Sequence, residues 1–229
     1  MILFMGDSHA DYYHMKKIYN KAIENNVKNI IVCGDFGYWP EDNQAKQFLW
    51  NLNNLLRDKD MKLFFVDGNH EDYNYIKKLP KDRVSEIPQV NNCFYIPRGI
   101  VTEIDGRKIM GFGGAVSIDR EYRIVDKTWF KEEEITDEQI KNMSKEKIDI
   151  LVTHDAPLLP PKIMGFGYKV DPISSLHREK IQTILMIKRP EILIHGHYHV
   201  HSDYEYKRIR CKCLADNTNA SFDKSYYLF

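Results

Sequence analysis

Three short apolar runs, Ile2–Met5, Asn29–Cys33 and Lys62–Val66, each break off into polar loop residues, and amphipathic stretches fill the gaps between them. Met15, Ile18, Tyr19, Ala22 and Ile23 recur at helical spacing in the first gap. In the second, Phe48, Leu49, Leu52, Leu55 and Leu56 do so behind Asp42 or Asn43 as the cap. Strand, helix, strand, helix, strand at roughly 30 residues per unit is the pattern of consecutive βαβ crossovers. Right-handed crossovers make such strands parallel neighbours, and all three following loops then emerge at one carboxyl edge. The pattern predicts an α/β fold.

Farther along, Ile100–Ile104 and Lys108–Phe112 flank Asp105-Gly106, a two-residue hairpin signal that adds antiparallel strands. The spacing predicts a solvated helix over Glu132–Lys145, a parallel strand over Ile148–Val152, a helix from Ser174 or Ser175 through Ile187, and a strand over Glu191–Ile194. Tyr204–Tyr206, Ile209–Leu214 and Ser225–Leu228 read as a closing antiparallel meander. No repeat, low-complexity tract or Gly/Ser linker divides the chain, so one domain over 1–229 is expected.

Composition excludes several classes. The 33 basic and 33 acidic residues cancel, unlike a protein held on nucleic acid by bulk charge. No apolar stretch nears the roughly 20 residues of a membrane span, and the first residues lack a signal peptide's basic region. Cys33, Cys93, Cys211 and Cys213 form no C-x-x-C pair and read as reduced structural thiols, which points to the cytoplasm.

Five of the nine histidines (His9, His70, His154, His197 and His199) fall just after expected strands, beside Asp7, Asp35 and Asn69. Singly each has an ordinary reading: Asp7 and Asp35 as turn residues, Asn69 as a left-handed residue after Gly68, His154 as a helix cap. Five loops supplying one ligand chemistry at the edge where open α/β sheets place their sites is a harder coincidence. The donor set is nitrogen and oxygen without sulfur, which suits Mn, Fe, Co, Ni or Zn ions. His195 and His201 read as packing or rim residues, and His14 and His177 as surface or helix-face residues.

Asp7-Ser8-His9, Gly34-Asp35, Gly68-Asn69-His70-Glu71, Thr153-His154 and Gly196-His197-Tyr198-His199 together resemble the ordered signature of the calcineurin-like metallophosphoesterases. Gly113–Arg120, with Arg123 and Trp129 following, also resembles a stretch of small bacterial and phage members. The resemblance implies a four-layer α-β-β-α sandwich with mixed sheets and a dimetal site at the carboxyl ends of the strands. It implies that Asp7, His9, Asp35 and His199 hold one divalent ion, and Asp35, Asn69, His154 and His197 the other, with manganese favoured. A metal-bridging hydroxide would attack phosphorus in line while His70 protonates the leaving oxygen. The two ions outweigh two aspartates and a hydroxide by one positive charge, which attracts a phosphate anion.

The departures bear on substrate. Where protein serine/threonine phosphatases carry an Asp three residues after the bridging Asp, this chain has Tyr38. That argues against a protein phosphatase and leaves Asp11 or Glu71 as candidates to orient His70. Tyr38 and Trp39 are placed to stack on a nucleobase or to anchor their loop; Arg120 and Arg123 to clamp a phosphate or to pair with Asp119, Glu121 or Asp126. The expected substrate is a small nucleotide-like phosphodiester or phosphomonoester, with extended nucleic acid a weaker fit. A non-catalytic scaffold on the same fold is the alternative. No membrane or protein partner is indicated.

Overall fold

The computed structural model describes residues 1–57, 60–216 and 218–229. In chain order the elements are β1 (Ile2–Met5), α1 (Tyr12–Glu24), β2 (Asn29–Val32), α2 (Asn43–Arg57), β3 (Lys62–Phe65), α3 (Tyr73–Ile76), β4 (Ser85–Glu86) and β5 (Cys93–Tyr95). There follow β6 (Val101–Ile104), β7 (Arg107–Phe112), α4 (Asp137–Asn142), β8 (Ile150–Thr153), α5 (Pro161–Met164), α6 (Pro172–Lys188), β9 (Ile192–His195), β10 (Ser202–Tyr206), β11 (Ile209–Cys213) and β12 (Tyr226–Leu228). They build two six-stranded mixed sheets, ordered β12-β1-β2-β3-β5-β4 and β10-β11-β9-β8-β7-β6.

Side-chain alternation makes the layers. In β1, Leu3 and Met5 pack outward against Met15 and Ile18 of α1, while Ile2 and Phe4 face the second sheet. In β8, Leu151 packs against Ile181 and Leu185 of α6, and Ile150 and Val152 meet the first sheet. Strands buried on both faces must be apolar at every position, which is why these runs do not alternate in hydropathy. The result is the four-layer sandwich, with helices outside and two sheets facing across a core of β-branched and aromatic side chains.

The parallel β1-β2-β3 register and the β6–β7 hairpin agree with expectation. Other elements do not. The expected closing meander is split: β10 and β11 form a hairpin, β11 runs parallel to β9, and β12 crosses to pair antiparallel with β1. The helix expected over residues 132–145 shrinks to α4, capped by Thr136, because the preceding residues turn inward. There Glu133 is completely buried. The last long helix starts earlier than expected, its first turn capped by Asp171, whose carboxylate accepts from Ser174 N at 2.8 Å. His14 and His177 are buried, at 0 % and 2 % exposure, not surface residues. His14 meets Ser225 Oγ at 3.0 Å, and His177 Nδ1 lies 3.1 Å from the Asp155 carboxylate. All four cysteines are buried and free.

Candidate metal centre

The loops leaving β1, β2, β3, β8 and β9 meet at one edge, where seven of the side chains singled out in the sequence converge. The donor atoms of Asp7, His9 and His199 lie within 4.8 Å of one another, as do those of Asp35, His154 and His197. His9 Nε2 and His199 Nε2 are 3.0 Å apart, and His199 Nε2 is 3.0 Å from Asp7 Oδ2. His154 Nε2 is 3.3 Å from Asp35 Oδ2 and 3.2 Å from Asn69 Oδ1. Asp35 Oδ2 also stands 3.8 Å from His9 Nε2, so its carboxylate lies between the two groups.

The backbone that achieves this is strained. His9 (φ 47°), Asp35 (φ 47°), His197 (φ 71°) and His199 (φ 54°) all occupy the left-handed region, at a cost on the order of 1–3 kcal/mol each. The loops hold one another in place. The Asp35 carbonyl accepts from His9 N at 2.7 Å, Asp7 Oδ1 from His197 N at 2.9 Å, and Asp35 Oδ1 from His70 N at 2.9 Å. Glycine is required where these loops touch. A Cβ at Gly34 (φ 93°) would overlap the His154 ring, and one at Gly196 would overlap the Asp7 carboxylate.

Electrostatically the cluster calls for cations. Asp7 and Asp35 are each 1 % exposed, and the nearest cation-capable group to Asp7 Oδ2 is the His199 imidazole at 3.0 Å. Burial works against charge on His154, yet Asp35 and Asp7 beside it push its pKa up to about 10, a measure of how strongly the paired carboxylates favour positive charge next to them. Burial pushes His197 down to about 4, leaving a neutral imidazole, the form that ligates metals. Two buried carboxylates and imidazole nitrogens that face one another at 3.0 Å, as His9 and His199 do, fit a pair of divalent ions.

Supporting contacts orient these donors, and sequence reasoning missed most of them. Asp216 Oδ2 lies 3.2 Å from His199 Nδ1. The Cys33 carbonyl lies 2.9 Å from His154 Nδ1. Asn69 Nδ2 donates to Ser117 Oγ at 3.1 Å, and Ser117 Oγ donates in turn to Glu133 Oε2 at 2.5 Å. That relay is braced from behind by Arg98, whose guanidinium binds the Glu132, Glu133 and Glu134 carbonyls and pairs with buried Asp67. Ser117 lies in the Gly113–Arg120 stretch, Cys33 and Asp67 directly precede ligand blocks and Glu133 belongs to an acidic run, but nothing along the chain links any of them to the donor it supports.

His70 neighbours this cluster. Burial, with the nearby Arg123 charge adding to it, lowers its pKa despite the opposing pull of Asp35. Glu71, one of the two residues expected to orient His70, bonds elsewhere. The Glu71 carboxylate is fully buried and accepts from Phe36 N (2.6 Å), Gly37 N (3.3 Å) and Gly68 N (2.6 Å), tying the β2 and β3 loops together. Asp11 caps α1. Arg123 Nη2 stands 3.2 Å from His70 Nε2. Arg123 is held there by Asp119 (2.9 Å) and the Asn69 carbonyl (3.3 Å). Since guanidinium only donates, His70 Nε2 is the acceptor in this arrangement.

Of the other expected substrate residues, Tyr38 is not at the site. It is 1 % exposed, packed near Phe65, and donates to Gln89 Oε1 at 2.7 Å. Trp39 lines the groove beside His9 and His70. Arg120 Nη2 lies 4.0 Å from Asp171. His195 is buried against the Tyr204 hydroxyl at 2.8 Å, a packing residue as expected.

Two facing mixed sheets carrying a carboxylate, imidazole and carboxamide cluster at the strand ends define a phosphoesterase-type α/β sandwich. A sequence profile of the calcineurin-like phosphoesterases matches residues 1–201, and the chain belongs to that family. It is 25% identical over 254 residues to an uncharacterised protein of Acanthamoeba polyphaga mimivirus, covering 91% of this chain and 88% of that one. Its fold is similar to that of TT1561 of Thermus thermophilus, with a TM-score of 0.55 at 11% identity, covering 94% and 88% of the two chains. It is also similar to GAP50, the anchor in the inner membrane complex of Plasmodium, with a TM-score of 0.53 at 14% identity, covering 95% and 71%. No helix among the described residues is long and apolar enough to cross a membrane.

Proposed function

We propose that the chain is a dimetal-dependent hydrolase of small, nucleotide-like phosphomonoesters or phosphodiesters. Asp7, His9, Asp35 and His199 would hold one ion, and Asp35, Asn69, His154 and His197 the other; the nitrogen and oxygen donors suit Mn, Fe, Co, Ni or Zn, and the family resemblance favours manganese. Bound there, such ions supply Lewis-acid stabilisation of the phosphoryl oxygens and a nucleophile at neutral pH.

The chain's own residues do the rest. Asp7 and Asp35 fix the charge of the cage, and neutral Asn69 keeps it from becoming more negative, so a phosphate anion is attracted. Once an anionic phosphoryl group competes for Arg123, His70 Nε2, one residue from Asn69, is free to take a proton from solvent and hand it to the leaving oxygen. Arg123 then serves as a guanidinium donor to that group.

The observation that carries this reading is the pair of donor groups, Asp7–His9–His199 and Asp35–His154–His197, converging around two buried carboxylates. GAP50 makes a scaffold the alternative, an anchoring protein on a similar fold. The experiment is metal analysis of the purified protein with a Mn²⁺-supplemented p-nitrophenyl ester assay. His70→Ala should retain metal and lose far more activity with alkoxide than with p-nitrophenolate leaving groups. Absence of both metal and turnover would favour the scaffold.

A further inference from the structure

His70, Arg123 and Asp119 form a ridge with a concavity on either side. The first, about 500 Å³, is bordered by His9, Trp39, Asp42 and Gln44. The second, about 560 Å³, is bordered by Asn69, His197, Tyr168, Tyr198 and Lys169. One donor group therefore opens on the first groove through His9, and the other opens on the second through Asn69 and His197. A phosphorus centred at the ridge has room for an organic substituent on both sides. A monoester has only one such substituent and leaves a groove empty.

The grooves differ in chemistry. Around the first, Asp42 and Asp119 outnumber the single cation Arg123, so a further anionic group is disfavoured there. Its aromatic surface is Trp39, fixed in place because its Nε1 donates to the His70 carbonyl at 2.5 Å and its ring packs near Phe130. Such a held indole offers a stacking face to a neutral planar ring with little ordering cost. In the second groove Lys169 and Arg123 outnumber Asp119, which suits a polar or anionic arm.

We infer that the substrate is a phosphodiester with two arms, one of them a neutral planar nucleoside-like group seated on Trp39, the other lying along the Tyr168–Lys169 side. This rests on the phosphoesterase reading above and narrows it to diesters with a stacking arm.

The test compares three compounds with one leaving group under Mn²⁺: p-nitrophenyl phosphate, methyl p-nitrophenyl phosphate and thymidine 5′-(p-nitrophenyl phosphate). The nucleoside diester should have the highest kcat/KM and the monoester the lowest. Trp39→Ala should cut kcat/KM for the nucleoside diester about 5- to 150-fold, the loss of one base–aromatic stack, chiefly through KM. The methyl diester, which has no ring to stack, should lose less than the nucleoside diester. Trp39→Phe, which keeps a ring but loses the bond to His70, should retain most of the nucleoside preference. A monoester turned over fastest, a nucleoside preference untouched by Trp39→Ala, or equal loss in the Ala and Phe variants overturns the inference. Absence of turnover of all three compounds overturns instead the phosphoesterase reading on which it rests.

Discussion

Ser117→Ala offers the sharpest check on how this centre is held. The hydroxyl accepts from Asn69 Nδ2 at 3.1 Å and donates to the fully buried Glu133 at 2.5 Å. Removing it strands two buried polar groups, each costing about 1–3 kcal/mol. It also frees the Asn69 amide to rotate its oxygen away from the His154 side. Loss of such an outer contact lowers metal affinity about 10- to 100-fold. The effect should be confined to one ion, because Ser117 touches nothing on the Asp7–His9–His199 side. Asp216→Asn gives the mirror case, since the donor that Asp216 contacts is His199, at 3.2 Å. The clean assay is a Mn²⁺ titration by calorimetry in a His9→Ala background, which cripples one site and leaves the other to be read alone. There Ser117→Ala should weaken the remaining ion about 10- to 100-fold, and Asp216→Asn should leave it unchanged. Equal weakening by both variants, or by neither, would refute the division of donors into two supported sets.

Burial pushes Glu133 up from 4.5 to about 7 despite its bonds from Ser117 and Phe130 N. The folded protein therefore holds a proton that the unfolded chain has released between those values. Stability of the metal-free protein should be fullest below pH 4.5 as regards this group and fall as pH rises to about 7. In EDTA-treated protein, urea titrations of Glu133→Gln at several pH values should lack that slope and show a gain at about pH 8 on the order of 2 kcal/mol. Arg98→Ala strands the Asp67 carboxylate, which is 0 % exposed, and should destabilise by about 3–5 kcal/mol in urea denaturation. Gly34→Ala, at φ 93° and against the His154 ring, should fold with lower stability and bind less than two equivalents of metal by elemental analysis.

The alternation of apolar runs and helical periods in the first 70 residues was enough to place β1, β2 and β3 in parallel with their loops at one edge. That inference needs only local spacing and the handedness of crossovers. The same logic located the donors, because Asp7, Asp35, Asn69, His154 and His197 each follow an apolar run directly. What local pattern could not reveal was partner choice. Tyr226–Leu228 looks like any short strand, and its pairing with β1 rather than β11 is decided by which sheet edge remains open after the sandwich closes. Likewise Tyr38 lies in a ligand loop yet points into the core, since a side chain's direction there depends on how that loop packs on Phe65.

The sequence by itself determined the α/β architecture and placed the candidate donor residues at the strand ends, because period, turn chemistry and residue type are properties of neighbours along the chain. Only the tertiary structure decided how those donors are aimed. Ser117 and Glu133 reach Asn69 across 48 and 64 positions of chain, Asp216 reaches His199 across 17, and Arg123 reaches His70 across 53. Contacts over such separations leave no periodic trace; they exist because two packed sheets bring distant loops to one edge.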